Sequence, residues 1–172
     1  VLNKLNVENK GLDTNKIEKL GSAKLTLGEN LNIKNFKHLD VKAGTLEIGK
    51  NIPIENVNVD TNTKLNVNNT TDIEMTSNIK GAGDIVKLGE GKLSIASSKL
   101  NSEGNIDLQA GELSVTGDKV LSNKVKGSAD LTFKNSNVEV KNIENFSGNL
   151  NLENSTLTLK EDKSLNTDTK II

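Results

Sequence analysis

Residues 81–115, which read GAGDIVKLGEGKLSIASSKLNSEGNIDLQAGELSV, decide the fold of this chain. The stretch contains GKLSI at 91–95 and GELSV at 111–115, two copies of one pattern that begin twenty residues apart. In both copies a small residue precedes two apolar residues that are separated by one polar residue. This alternation is typical of a short strand with one buried face. We therefore expect a strand at each copy.

The same pattern recurs along nearly the whole chain. The first apolar residues of its eight copies are Leu5, Leu25, Leu46, Leu65, Leu93, Leu113, Val138 and Leu157. Most copies are about twenty residues apart, but Leu65 and Leu93 are separated by 28 residues, and Leu113 and Val138 by 25. A repeat near twenty residues is typical of a stacked solenoid.

Further apolar residues place three strands in each repeat. A second apolar pair lies about seven residues before most copies, as Val86 and Leu88 do in residues 81–115, and a third apolar position follows each copy. Parallel strands usually need a helical crossover, but no helical periodicity of useful length is present. The sequence therefore predicts an all-β chain, a right-handed parallel β-helix of about eight three-stranded coils. Residues 1–172 are expected to form one segment of it.

The two longer intervals predict loops at 68–84 and 116–130, since insertions in solenoids become loops on one face, often the binding face. The alternative is that both loops are tolerated surface excursions, because lengthening a loop costs little free energy. The candidate partner contacts in the two loops are Asn69, Thr71, Lys80, Lys119, Lys124 and Lys126.

Composition argues against several classes of function. The 172 residues include 22 lysines and no arginine, 23 acidic residues and no cysteine, with a net charge of −1. Near-neutral charge and the lack of arginine give no reason to expect a nucleic-acid partner. Without cysteine, neither a disulfide nor a cysteine-based zinc site can form. No apolar run is long enough to span a membrane, and no cofactor or metal is expected.

The enzymatic alternative is a β-helical polysaccharide-cleaving enzyme. Lyases of that kind use an arginine base, and hydrolases combine Asn-Thr-Asp with paired aspartates and Gly-His-Gly. Here Asn166-Thr167-Asp168 stands alone and is interpreted as a turn, and the single histidine, His38, has no flanking glycines. We expect no catalytic residue, so the chain is not predicted to be an enzyme.

Aromatic residues bear on carbohydrate binding, because sugar sites often stack a sugar face on an aromatic ring. The chain has neither tryptophan nor tyrosine. Phe133 and Phe146 occupy inward positions of the repeat, which leaves Phe36 as the phenylalanine expected to be exposed. A sugar site that depends on stacking is therefore disfavoured, although sites built from polar residues alone exist.

Residues 81–115 resemble the passenger-associated repeat of type V autotransporters. That pattern runs Gly-x-Gly, a strand ending in Lys-x-Gly-x-Gly, a Leu-x-Leu strand, about ten residues, and then a strand with Gly-x-Leu-x-Val. The matching residues are Gly81, Gly83, Lys87, Gly89, Gly91, Leu93, Ile95, Ile106, Leu108, Gly111, Leu113 and Val115. The lysine- and asparagine-rich composition also looks like that of the large adhesin passengers of fusobacteria.

The resemblance implies a secreted passenger on the bacterial cell surface, anchored through an outer-membrane barrel that this chain lacks. The chain would then be an internal, monomeric segment of a longer adhesin, a stiff stalk presenting regions that bind a host-cell or bacterial receptor or glycan. One alternative is a receptor- or glycan-binding module acting through the two loops. Another is an exoprotein of two-partner secretion, which only downstream sequence would distinguish.

Overall fold

The computed structural model describes residues 4–8, 15–28, 33, 35–160 and 165–172. Their regular structure is almost entirely β-strand, because alternating aliphatic and polar residues suit a half-buried pleated surface. Ser97–Lys99 forms one 3₁₀ turn, and no helix in the described ranges is long and apolar enough to cross a membrane. The strands are β1 (Lys4–Glu8), β2 (Lys16–Leu20), β3 (Lys24–Thr26), β4 (His38–Val41), β5 (Thr45–Ile48), β6 (Asn56–Val59), β7 (Lys64–Asn68), β8 (Ile73–Met75), β9 (Asn78–Gly81), β10 (Asp84–Leu88), β11 (Lys92–Ala96), β12 (Leu100–Ser102), β13 (Ile106–Leu108), β14 (Glu112–Thr116), β15 (Lys119–Gly127), β16 (Asp130–Lys134), β17 (Asn137–Phe146), β18 (Asn149–Glu153), β19 (Thr156–Leu159) and β20 (Lys170–Ile171).

The strands form three sheets around a common core. Sheet A has the order β1-β2-β4-β6-β9-β12, sheet B the order β3-β5-β7-β10-β13-β15-β17-β19, and sheet C the order β8-β11-β14-β16-β18-β20. All the pairs between described strands are parallel except β1 with β2. Their residues are separated by 18 positions, as for Leu39 with Val57, to 22 positions, as for Lys16 with His38. The chain is a parallel β-helix of about seven turns, which confirms the predicted fold class.

Inward side chains stack in columns that run from coil to coil. In sheet A, Leu39 pairs with Val57, and both are 0% exposed. Fully burying one such side chain is worth about 1.5–3 kcal/mol, and neighbouring strands about 4.8 Å apart keep the column continuous. Phe133 and Phe146 are fully buried, as predicted. Phe36, expected to be exposed, is instead half-buried against the core.

The inward residues of β10 differ from the prediction by one position. Lys87 pairs with Val67 of β7 and with Leu108 of β13, so Lys87 and Ile85 occupy the inward columns. Val86 and Leu88, the apolar pair that the sequence assigned to this strand, therefore stand on its outer face, although Val86 is only 6% exposed. Apolar residues stand on both faces of this strand, and a lysine in an inward position conceals the correct alternation.

The predicted loops at 68–84 and 116–130 are also wrong. The first segment contains β8 and β9, and most of the second is β15. The long intervals arise because successive copies of the pattern lie in different sheets. Leu65 of sheet B pairs with Ile85, whereas Leu93 of sheet C pairs with Ile73. Apolar and polar residues alternate in a similar way in all three sheets. Two successive copies of the pattern can therefore lie in different sheets although no residue is inserted between the coils.

The first copy of the pattern does not form a parallel coil. β1, which includes Leu5 and Val7, pairs with β2 in the antiparallel direction, and Leu5 pairs with Lys19. An antiparallel strand cannot continue a stack of parallel coils in the same direction. The helix consequently has about seven turns where about eight coils were expected.

Candidate functional site

The structure distributes the six predicted partner contacts over the molecule. Thr71 is exposed in the corner between sheets B and C, and Lys80 is exposed on the outer face of sheet A. Lys124 is exposed on β15, and the Nζ atom of Lys126 lies 3.3 Å from an Asp107 carboxylate oxygen. These four residues remain candidate contacts, but they are not brought together into one site.

The other two candidates, Asn69 and Lys119, have inward-pointing side chains. Asn69 is 0% exposed, and its Nδ2 atom donates to the carbonyl oxygens of Thr71 at 2.8 Å and Lys92 at 3.0 Å. Lys119 pairs with Val138 in an inward column, and burial lowers the pKa of its ammonium. Its Nζ atom donates to the Ser97 and Leu100 carbonyls. Neither polar group points to the surface, although Lys119 is also among the residues that line the groove described below.

Two more lysines occupy inward positions and were not identified from the sequence as buried residues. Lys19 pairs with Val41 in sheet A, and Lys87 pairs with Val67 in sheet B. Both lysine side chains are 0% exposed. Burial lowers the pKa of each ammonium from its ordinary value, because a charged group loses hydration in an apolar column.

Each of these ammonium groups is held by three backbone carbonyls. Lys87 Nζ donates to Leu88 and Gly89 at 2.7 Å each and to Ala110 of the next coil at 3.2 Å. Lys19 Nζ has the matching partners: Leu20 at 3.3 Å, Gly21 at 2.6 Å and Ala43 of the next coil at 2.8 Å. One side chain therefore satisfies two carbonyls of its own corner and joins them to the neighbouring coil.

The sequence signal for this arrangement is Lys-Leu-Gly, which occurs at 19–21 and at 87–89. Gly21 and Gly89 have φ angles of 84° and 72°, a left-handed conformation that glycine adopts without steric cost. We attribute the convergence of the carbonyls on the lysine to this turn. The two copies lie at different corners: one joins sheet A to sheet B, and the other joins sheet B to sheet C.

Smaller polar side chains perform the same task at other corners. Thr63 Oγ1 donates to the Asp60 carbonyl at 2.7 Å, and Ser77 Oγ donates to the Ile54 carbonyl of the preceding coil at 2.5 Å. Asn123 Nδ2 donates to Gly104 at 2.6 Å. Buried carbonyls without a partner are costly, so these residues stabilise the corners where no sheet ladder can satisfy the backbone.

Asparagine ladders connect the outer surface. Asn78 Nδ2 donates to Asn56 Oδ1 at 3.2 Å, and Asn101 Nδ2 donates to Asn78 Oδ1 at 2.7 Å. A second ladder joins Asn154 to Asn135 at 2.9 Å. Part of the high asparagine content therefore has a structural role.

A shallow groove is a candidate binding surface. It crosses β15, β17 and β19, and its lining includes Asp118, Val120, Asn137, Glu139, Thr156 and Thr158. Asn137 donates its backbone N–H at 2.6 Å and its Nδ2 at 3.3 Å to one oxygen of Asp118, which orients that carboxylate. Val120 is 52% exposed. The groove thus combines an oriented acceptor with an apolar surface.

The remaining motifs have structural surroundings. Asp168 donates its backbone N–H to Asn166 Oδ1 at 2.9 Å, so the Asn-Thr-Asp tripeptide is an Asx turn, as interpreted from the sequence. His38 lies half-buried in β4. Within the described ranges, no three His, Cys, Asp or Glu residues are grouped as a metal site would require.

The chain was also compared with known proteins. No family model matches it, and neither the curated proteins nor the solved structures searched contain a significant match.

Proposed function

We propose that this chain is a β-helical spacer in the passenger of a secreted, surface-displayed autotransporter adhesin. The observation that carries the proposal is the uniform stacking, in which paired residues stay 18 to 22 positions apart from β2 to β20. A stack without long insertions adds about 4.8 Å of length per coil. Such a rod suits the task of holding a binding region away from the cell surface.

The glycines of the autotransporter-like pattern support the proposal. Gly83 and Gly91 lie at coil corners, where an added Cβ atom would lie 2.5 Å from the Asp60 carbonyl oxygen and 2.4 Å from the Thr71 carbonyl oxygen. The pattern in residues 81–115 thus coincides with the steric requirements of closely stacked coils. The secreted location, the outer-membrane anchor and the adhesive partner rest on the resemblance alone.

The spacer function is tested in the intact adhesin by exchanging this segment for an unrelated β-helix of equal length. A spacer should be replaceable, so adhesion to host cells and partner bacteria should be retained. A second replacement several coils shorter should weaken adhesion without changing the affinity of the isolated binding region. Loss of adhesion after the equal-length exchange would contradict the spacer function.

The groove supports a second candidate function, a receptor- or glycan-binding module. Asp118 offers an oriented carboxylate, and the exposed Val120 could cover the apolar face of a ligand. Binding of the labelled monomer to host cells, partner bacteria and a glycan array tests this candidate. Val120→Lys should abolish saturable binding, whereas Thr61→Lys, a matched change at an exposed residue outside the groove, should not. Equal binding by both variants would exclude the groove as the site.

A further inference from the structure

Sheet A is interrupted between β12 and the first half of β15. β12 pairs with β9 through Leu100, Asn101 and Ser102, but β12 is the last strand of its sheet. Residues 119–123 of the next coil follow β12 in the stack. Among the described residues, no strand pairing joins them to β12. Sheets B and C continue across the same junction, through the pairs β13–β15 and β14–β16. We call the junction of β12 with residues 119–123 the seam.

Two side chains replace the missing ladder at the seam. Lys119 Nζ donates to the carbonyls of Ser97 and Leu100. Asn123 Nδ2 donates to Ser102 at 3.0 Å and to Gly104 at 2.6 Å. These bonds satisfy carbonyls along the edge of β12, but each depends on a side chain that can rotate. The backbone ladders that close sheets B and C at this junction do not have this freedom.

The seam also contains an unsatisfied polar group. Ser102 is 8% exposed, and its Oγ atom is buried without a hydrogen-bond partner. A buried hydroxyl without a partner raises the free energy of the closed state. Burial likewise lowers the pKa of Lys119, the residue that holds the seam on one side. Both features reduce the free energy needed to open this junction relative to a junction closed by a backbone ladder.

We propose that the seam is a hinge, at which sheet A opens locally while sheets B and C stay paired. The solenoid would then consist of two stiff segments, before and after the seam, that bend away from each other on the side of sheet A. This inference concerns the mechanics of the chain and holds whether the segment acts as a spacer or as a binding module.

A single introduced thiol tests the hinge, because the chain contains no cysteine. Ser102→Cys places the thiol at the seam. Val57→Cys is the matched control, since Val57 is 0% exposed and points inward from β6 of the same sheet, which is paired on both sides. Under native conditions we expect a thiol reagent to modify the Ser102→Cys chain about 100-fold faster than the Val57→Cys chain, because local opening costs less than global unfolding. Equal protection of the two thiols would overturn the proposal.

Variants of the two bridging residues provide a second test, made in the Ser102→Cys background. Lys119→Met and Asn123→Ala should each raise the modification rate of the seam thiol about 10-fold, since each removes hydrogen bonds that close the seam. Lys87→Met is the control, because it removes another inward lysine from a strand that is paired on both sides. It should not raise the modification rate of the seam thiol once the rates are compared at equal global stability. If Lys87→Met has the same effect as Lys119→Met, the opening is not specific to the seam.

Discussion

At the scale of single residues, buried polar side chains complete this fold. An aliphatic column satisfies no carbonyl, and the corners of the coil leave carbonyls that no neighbouring strand can reach. Lys87 fills an inward position with its methylene stem and directs its ammonium to three of these carbonyls. This division between an apolar stem and a charged end lets a lysine occupy a core position.

Lys87→Met tests the contribution of this arrangement. Methionine has a similar length and keeps the column filled, but it leaves the Leu88, Gly89 and Ala110 carbonyls without their donor. We expect the free energy of unfolding to fall by about 1–3 kcal/mol, the usual cost of unsatisfied buried groups, as measured by urea denaturation. Lys64→Met, at an exposed position of sheet B, should change it by less than about 0.5 kcal/mol. A Lys87→Met chain as stable as the wild type would show that the carbonyls do not need the lysine.

The lowered pKa of Lys87 predicts how this contribution varies with pH. Burial lowers the pKa in the folded chain below the ordinary value of 10.5, so between these two values the unfolded chain binds more protons. Stability therefore rises with pH in that window. The stability advantage of the wild type over Lys87→Met should accordingly increase as the pH approaches 10.5. Urea denaturation of both chains at several alkaline pH values measures this stability advantage. An advantage that decreases as the pH rises would contradict the lowered pKa of Lys87. Lys42, whose pKa is raised mainly by a hydrogen bond to Asp60, is common to both chains and cancels in the comparison.

At the scale of the strands, alternation determines which face is buried. In β14, Leu113 and Val115 are 4% and 1% exposed, whereas Thr116 at the end of the strand is exposed. Leu113 pairs with Leu93 on one side and Leu131 on the other, so its column is closed in both directions.

Leu113→Asp should therefore be severely destabilising. An unpaired carboxylate in an aliphatic column cannot regain its hydration, and a loss above about 4 kcal/mol is expected. Thr116→Asp is the control on the same strand, and it should be nearly neutral, because Thr116 is exposed and pairs with Lys134 of β16. Circular dichroism and urea denaturation measure both variants. Normal folding of the Leu113→Asp chain would refute the inward assignment of β14.

At the scale of the whole molecule, the coil is the unit of stability. One coil cannot offset the conformational entropy of about twenty ordered residues, at about 1–2 kcal/mol each, so coils are stable only when stacked. Stability should then depend on the number of coils and on keeping the register between them.

Excision of residues 94–113 tests this dependence. It joins Leu93 directly to Ser114, the residue that follows its pairing partner Leu113, and removes one full period. The shortened chain should fold cooperatively, keep a β-rich circular dichroism spectrum and lose about 4.8 Å of length in small-angle scattering. Excision of residues 94–103, half a period, should abolish folding because all following strands would meet the wrong sheet. Equal folding of both shortened chains would contradict the coil register.

The sequence alone was sufficient to predict the fold class. Strands whose apolar residues recur about every twenty positions can bury them only by stacking, so GKLSI and GELSV already specify neighbouring coils. The inward positions of Phe133 and Phe146 followed from the same alternation, and the turn at Asn166 followed from the lack of the partner motifs that a hydrolase site would need. These features are local, or they repeat at a fixed spacing, and a linear reading can detect both.

Only the tertiary structure determined which sheet each strand enters and what each polar residue does. The alternation is nearly the same in all three sheets, so the intervals around 68–84 and 116–130 looked like insertions although β8, β9 and β15 continue the coils. Lys19, Lys87, Lys119 and Asn69 looked like surface residues because their polarity is visible in the sequence, whereas their acceptors belong to other turns of the backbone. Those carbonyls come together only when the coils close and stack. The assignment of each strand to its sheet, the burial of the lysines and the seam therefore depend on contacts between residues that are distant in the chain.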